Sequence, residues 1–169
     1  MHSAKKEALA DLWPQRQDNL PFNTMDEAVI LASIVEKETA EADERDKVAG
    51  VFVNRLRKGM RLQSDPTVIY ALTDGRPKDD GHGPLGRRLL RKDLGIDSAY
   101  NTYKYAGLTP GPICNPGKQS LKAVLNPQEH DYIYFVADGT GGHAFGKTLE
   151  EHNKNVAAWR KIRRQQEVQ

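Results

Sequence analysis

The stretch LASIVEKETA, residues 31–40, sets the strongest constraint: an almost wholly apolar run ends in two carboxylates, Glu36 and Glu38. Five of the six residues before Glu36 are apolar, namely Ile30, Leu31, Ala32, Ile34 and Val35. No run in the chain approaches the ~18 apolar residues that would cross a bilayer. Carboxylates in such a place must either turn out to water or accept a desolvated site, where their pKa rises. Thr24 and Glu27 have capping-box spacing, which predicts a helix from near Met25 to about Glu41. At ~100° per residue, Glu38 then lies about 20° from Leu31, 40° from Ile34 and 60° from Val35, and Glu36 about 20° from Val29 and 40° from Ala32. The neighbours of Glu38 are bulkier, so it is the better candidate for a protonated general acid, and Glu36 for an ordinary hydrogen bond or water. Spacing alone leaves a second reading open, in which both are surface carboxylates paired with Lys37 and Arg45.

The remaining elements follow from periodicity and punctuation. Residues 1–22 are polar and interrupted by proline, and read as a short helix and a connector. Val48, Val51, Phe52 and Leu56 recur at helical spacing after Asp43, with Gly59 placed to end that helix. QSDPTVIYAL gives a short helix with Pro66 in its first turn, and Asp65 in SDPT reads as its cap. Residues 73–99, including GRPKDDGHGPLGRR, form an irregular surface excursion with RRLLRKDLG as its only helix-like piece. GLTPGPICNPG (107–117) is a stiff loop, KQSLKAVL a helix, DYIYFVAD the one convincing strand, and HAFG its partner across a GTGG turn. Thr148 and Glu151 cap a final helix, whose end, 161–169, is a basic tail. The fold class is α+β: a helix-dominated single domain with a small β-hairpin.

With 38% hydrophobic and 28% charged residues the chain is neither disordered nor membrane-embedded, and its net charge of +2 argues for no polyanionic partner, nucleic acid included. WRKIRRQQ reads as a solvated helix end rather than a nucleic-acid patch. MHSAKKEALADL lacks the apolar core of a signal peptide. A single cysteine, Cys114, excludes an internal disulfide and a cysteine-based zinc site, and reads as packing rather than as a nucleophile. Asn54, Arg55, Arg57, Arg61, Gln63 and Asp65 crowd one helix end, while YNTYKY sets tyrosines beside Asn101 and Thr102. Aromatic faces beside amides and hydroxyls suit a sugar.

ASIVEKETA, ERDKVAGVFVNRLRKGMRLQSDPTVIYAL, YNTYKYAGLTPGPICNPG and YIYFVADGTGGHAFGKTLEEHNKNV, taken in order, closely resemble the MltG (YceG-like) family of endolytic peptidoglycan transglycosylases, from about Leu20 to Trp159. The resemblance implies a catalytic domain over residues 23–160, without metal or organic cofactor. It would cleave the MurNAc-β-1,4-GlcNAc bond without water, leave 1,6-anhydro-MurNAc ends, and terminate nascent strands. The family's catalytic glutamate matches Glu38. Gln63, Asp65, Tyr100, Asn101, Thr102, Tyr103 and His143 are the substrate-binding expectations, with Asn101 and Gln63 as dipoles easing the oxocarbenium-like charge. By analogy with lysozyme-like lytic transglycosylases, the Glu38 helix is expected to face the Gln63 loop and the Tyr100–Asn101 segment. Family members carry an N-terminal membrane helix and a LysM-like subdomain, neither of which is in this sequence. The implied setting is a protein anchored in the inner membrane and facing the periplasm, with peptidoglycan strands as substrate and peptidoglycan synthases as companions. Two other readings compete: a ββα-type metal nuclease using His143, His152 and Asn153, and a peptidoglycan-binding scaffold without turnover.

Overall fold

The computed structural model describes residues 3–78 and 81–168. Met1, His2, Asp79, Asp80 and Gln169 lie outside the described residues, and with them the first residues of the expected connector, two acidic residues of the excursion and the last residue of the tail. Among the described residues there are six α-helices: α1 (Ser3–Leu12), α2 (Met25–Glu38), α3 (Arg45–Lys58), α4 (Asp65–Thr73), α5 (Lys118–Leu125) and α6 (Leu149–Val168). Two strands, β1 (Tyr134–Ala137) and β2 (His143–Gly146), form one antiparallel hairpin. The helix-dominated α+β expectation holds.

The apolar run becomes the centre of the core because α2 is covered on several sides. It packs against α3, α4 and α5, and Ala28, Leu31, Ala32, Ile34 and Val35 have no exposed surface. A helix apolar around its circumference has no face to offer water. Thr24 caps its start, its hydroxyl oxygen accepting from the Glu27 N–H at 3.1 Å. The end comes earlier than the expected Glu41. Thr39 turns extended (φ −140°, ψ 135°) and its side chain accepts the Glu41 N–H at 3.0 Å, so Glu38 is the last helical residue.

Other boundaries moved for similar local reasons. Gly59 ends α3 with φ 70°, the left-handed conformation that glycine adopts without strain. Ser64, not Asp65, stands at the N-cap position of α4, and Asp65 is its first helical residue. The strand read over DYIYFVAD is only Tyr134–Ala137. Thr73 belongs to α4, and the excursion after it is irregular apart from a 3-10 turn at Arg91–Gly95. It is not wholly superficial, since Leu85 and Asp93 are buried and Arg87 grips the Asp93 carboxylate with two hydrogen bonds of 2.8 and 2.9 Å. At the termini, Leu9 of α1 joins the core, and α6 runs unbroken through residues 161–168.

What places the hairpin is the segment before it, laid along α3. Gln128 N–H donates to the Asp46 carbonyl (3.0 Å), while the Asn54 amide donates to the carbonyls of His130 (2.8 Å) and Tyr132 (2.9 Å). Arg55, buried in the same helix, donates to the carbonyls of Ile133 and Arg61 at 2.7 Å each. Strand alternation then turns Phe135 toward Phe52 of α3 and Tyr134 toward His152 of α6.

Close approach of the segment to α3 needs Gly50. A Cβ there would meet the Gln128 carbonyl oxygen at 2.4 Å and His130 Nε2 at 2.5 Å. Gly50→Ala would normally favour a helix, yet here it should destabilise the protein by about 1–3 kcal/mol through overpacking. Denaturant unfolding measures this, and an unchanged midpoint would refute the tight packing.

Candidate active site

At the end of α2 the apolar run is over, and the Glu38 side chain leaves the core into a cleft of about 450 Å³. Its side-chain oxygen Oε1 accepts the Ser64 hydroxyl at 2.9 Å. Burial pushes the Glu38 carboxyl up from 4.5 to about 7; the Ser64 hydrogen bond works against that rise, and the negative charge of Asp65 adds to it. Its position at the C-terminal end of a helix, where the macrodipole disfavours a negative charge, acts in the same direction. Glu38 is therefore a carboxyl that holds a proton near neutral pH and can still release it.

Ser64 is itself fixed. It is buried, its N–H donates to Thr102 Oγ1 at 2.9 Å, and its carbonyl accepts the Thr67 hydroxyl at 2.7 Å. Gln63 beside it adopts φ 53°, unusual without glycine, and its N–H donates to the Thr102 carbonyl at 3.2 Å. The loop between α3 and α4 is thus tied to the 100–103 turn by backbone and hydroxyl bonds.

Five of the expected site residues share this cleft: Glu38, Gln63, Asp65, Tyr103 and His143. Tyr103 donates its hydroxyl to Asp65 Oδ1, and burial with the nearby carboxylates raises the phenol's pKa. Three expected residues do not line it. Tyr100 packs against Tyr70, the rings 4.7 Å apart between centres and tilted by 40°. Asn101 has no exposed surface; its amide donates to the carbonyls of Leu94 and Ile96 at 2.8 Å each and its Oδ1 accepts from the Tyr103 N–H. Thr102 is buried and spends its hydroxyl on Ser64 and Thr67. These three build the wall from behind, and Asn101, expected to ease charge on a substrate, does not face the cleft. Glu36 also has a structural partner, accepting the Gly117 N–H at 2.6 Å and pinning the 107–117 loop. Cys114, in that loop, packs its thiol against the Ser33 carbonyl at 3.3 Å.

Arg55, Tyr134, His152 and Trp159 also line the cleft, and Ser64 bonds Glu38; sequence alone singles out none of Ser64, Tyr134 and Trp159, and Arg55 only within the polar cluster. Ser64 sits within QSDPT, and a serine one residue before a predicted helix was the available signal, though it pointed to capping. A second cavity of about 310 Å³ adjoins the first, and Glu38, His143 and Trp159 line both. The carboxyl therefore stands where two cavities meet. Of the residues proposed for a metal nuclease, His143 bonds Glu44, His152 stacks on Tyr134 at 4.8 Å and Asn153 is exposed. Among the described residues no group of three His, Cys, Asp or Glu side chains could hold a metal ion.

A family model described as the YceG-like family matches residues 1–158. An endolytic murein transglycosylase of Bacillus subtilis (strain 168) is 53% identical over 124 residues, covering 73% of this chain and 32% of that relative. A protein of the same description from Streptococcus pneumoniae serotype 2 is 39% identical over 140 residues, covering 79% of this chain and 24% of that relative. The chain thus spans about a third or less of the length of these curated relatives. A crystal structure of a yceG-like protein from Listeria monocytogenes superimposes with a TM-score of 0.68 at 42% identity, over 90% of this chain and 43% of that one.

Two measurements bear on the carboxyl. Removing the Ser64 hydroxyl removes a bond that favours the charged form, so in Ser64→Ala the Glu38 carboxyl should titrate at higher pH than the wild-type value near 7, read by carbon NMR. An unchanged or lower value would mean that Ser64 does not control it. For stability the sign is opposite to that of a salt-bridged carboxylate. The contribution of Glu38 is complete below the unfolded value near 4.5 and is lost as pH rises toward 7, because the unfolded chain gives up its proton first. Glu38→Gln should therefore match the wild type in acid and exceed it by about 1–3 kcal/mol above neutrality, measured by denaturant unfolding across pH.

Proposed function

The chain belongs to the YceG-like family, and from that membership we propose that it is the catalytic part of an endolytic lytic transglycosylase acting on peptidoglycan. The observation that carries the reading is Glu38: a carboxyl raised to about 7, in a cleft, at the junction of two cavities. A strand lying through both cavities has its scissile bond in the interior of the chain, as endolytic cleavage requires.

The chemistry needs only one such group. Protonated Glu38 gives its proton to the glycosidic oxygen between MurNAc and GlcNAc, and the C1–O4 bond breaks with oxocarbenium-like charge at C1. The same sugar's C6 hydroxyl closes on C1, its reach set by the ring rather than by diffusion. Glu38, now a carboxylate, takes the C6 proton and returns to its starting form. The products are a GlcNAc end with a free hydroxyl and a 1,6-anhydro-MurNAc end, with no water consumed. Gln63, Tyr103 and His143 are the polar side chains we assign to holding the sugars.

A hydrolase would need a second carboxylate, about 6.5–9.5 Å from the first in an inverting enzyme or about 5 Å in a retaining one. Asp65 is the other carboxylate lining the cleft, and the Tyr103 hydroxyl occupies its Oδ1. Glu36 is spent on Gly117.

We extend the proposal to setting. In this reading residues 23–160 form the catalytic unit, preceded by a segment whose Leu9 joins the core and followed by the end of α6, residues 161–168. Peptidoglycan is met outside the cytoplasm, so the full-length protein would face the periplasm from the inner membrane, beside peptidoglycan synthases. No helix among the described residues is long and apolar enough to cross a membrane.

Glu38→Gln should lower cleavage of purified glycan strands by at least ~10²-fold while preserving the fold. Mass spectrometry of wild-type digests should show new internal ends lighter by one water than reducing MurNAc. Mainly reducing ends would mean hydrolysis, with Asp65 as base or nucleophile; full activity in Glu38→Gln would remove Glu38 from the chemistry.

A further inference from the structure

His143 enters the cleft from β2 with a partner that the chemistry above does not use. Its backbone N–H donates to Glu44 Oε2 at 3.0 Å, and its ring Nδ1 lies 3.3 Å from Glu44 Oε1. Both oxygens of one carboxylate are therefore turned to one histidine, across 99 positions of sequence. The contact depends on Gly142, where a Cβ would meet Glu44 Oε1 at 2.7 Å. Phe135 and Phe145 hold the ring at 5.2 and 6.3 Å between centres. Only 14% of the His143 side chain and 20% of the Glu44 side chain are exposed.

Two contacts on a carboxylate, which only accepts, require two donors. One is the backbone N–H, and the other must be Nδ1–H. In the neutral ring this leaves Nε2 without a proton. Because His143 lines both cavities beside Glu38, Nε2 is the ring nitrogen left for the cleft. We propose that Glu44 is a positioning residue that locks His143 in the Nδ1–H tautomer, so that Nε2 accepts a hydrogen bond from a hydroxyl of the bound glycan. The proposal rests on the glycan-cleaving reading for the ligand and on the geometry alone for the tautomer.

Glutamine at position 44 separates these roles. Its single carbonyl oxygen must accept the His143 backbone N–H, which leaves its NH₂ facing Nδ1. The ring then keeps its hydrogen bond only by accepting at Nδ1 and carrying its proton on Nε2. Shape is conserved while the group shown to the cleft changes from acceptor to donor, and a wrong tautomer is costly to an enzyme.

The test is nitrogen-15 NMR of the imidazoles in the whole chain, with His143 assigned by its loss in His143→Ala. The wild type should carry its proton on Nδ1, Glu44→Asp should keep that state, and Glu44→Gln should move the proton to Nε2. Glycan cleavage by Glu44→Gln should fall at least ~10-fold, the direction a wrong tautomer dictates. In the wild type, adding a soluble alternating GlcNAc–MurNAc fragment should shift the Nε2 resonance. A wild-type proton on Nε2, a Glu44→Gln spectrum like the wild type's, or unaltered cleavage by a variant whose tautomer has switched would each overturn the proposal. A fragment that binds without moving Nε2 would also overturn it. An inactive wild type with the expected tautomer and Nε2 shift would instead count against lytic cleavage and leave the glycan contact standing.

Discussion

The fold turns on the burial of an ionisable group at the end of its most apolar helix. Val35 and Ile34 are fully buried, and Glu38, within one turn of both, is the point where α2 gives way to the cleft. A carboxyl in such a place is tolerated only if it is neutral or hydrogen-bonded, and both conditions are met here. Its pKa sits near 7, and one of its oxygens has a hydroxyl partner in Ser64. The rest of the nearby structure holds that partner still. Thr102 fixes the Ser64 N–H, Asn101 fixes the turn that carries Thr102, and Leu94 and Ile96 present the carbonyls that fix Asn101. The apparently irregular excursion before residue 99 is thus one end of a chain of supports reaching the carboxyl.

Arg55 performs a comparable service from the other side. Burial lowers its pKa somewhat, yet the guanidinium keeps two short bonds to backbone carbonyls and lies 5.1 Å from the Tyr134 ring. It joins α3, the loop leading to Ser64 and the strand that faces the cleft. A fork of fixed donors suits this better than a lysine's single ammonium would.

Local signals in the sequence were enough for most elements. The Thr24 cap, the Gly59 stop, Pro66 in the first turn of α4 and the Thr148–Glu151 pair each mark a boundary by chemistry confined to a few residues. The end of α2 falls short of the expected Glu41 because Thr39 leaves the helix for an extended conformation, which periodicity does not report. For the site, the helical wheel ranks Glu38 above Glu36 by the bulk of its neighbours, and in the structure burial raises the Glu38 carboxyl. Its limits appear at Tyr100 and Asn101. Their residue types suit a sugar, but the same types satisfy buried backbone, and only three-dimensional contacts tell the two uses apart. Glu44 and Ser64 were invisible for a related cause, since each matters through a partner remote in sequence.

That remoteness has a consequence for how the molecule comes into being. Glu38 meets Ser64 across 26 positions, Ser64 meets Thr102 across 38, and Glu44 meets His143 across 99. Contacts of such separation form late, after the entropy of closing long loops has been overcome. On a ribosome, α2 and α3 can begin to coil while the hairpin is still unsynthesised, but Glu44 then has no histidine to hold. Competence at the cleft is accordingly a property of the finished chain, and its appearance should trail the growth of helical signal during refolding.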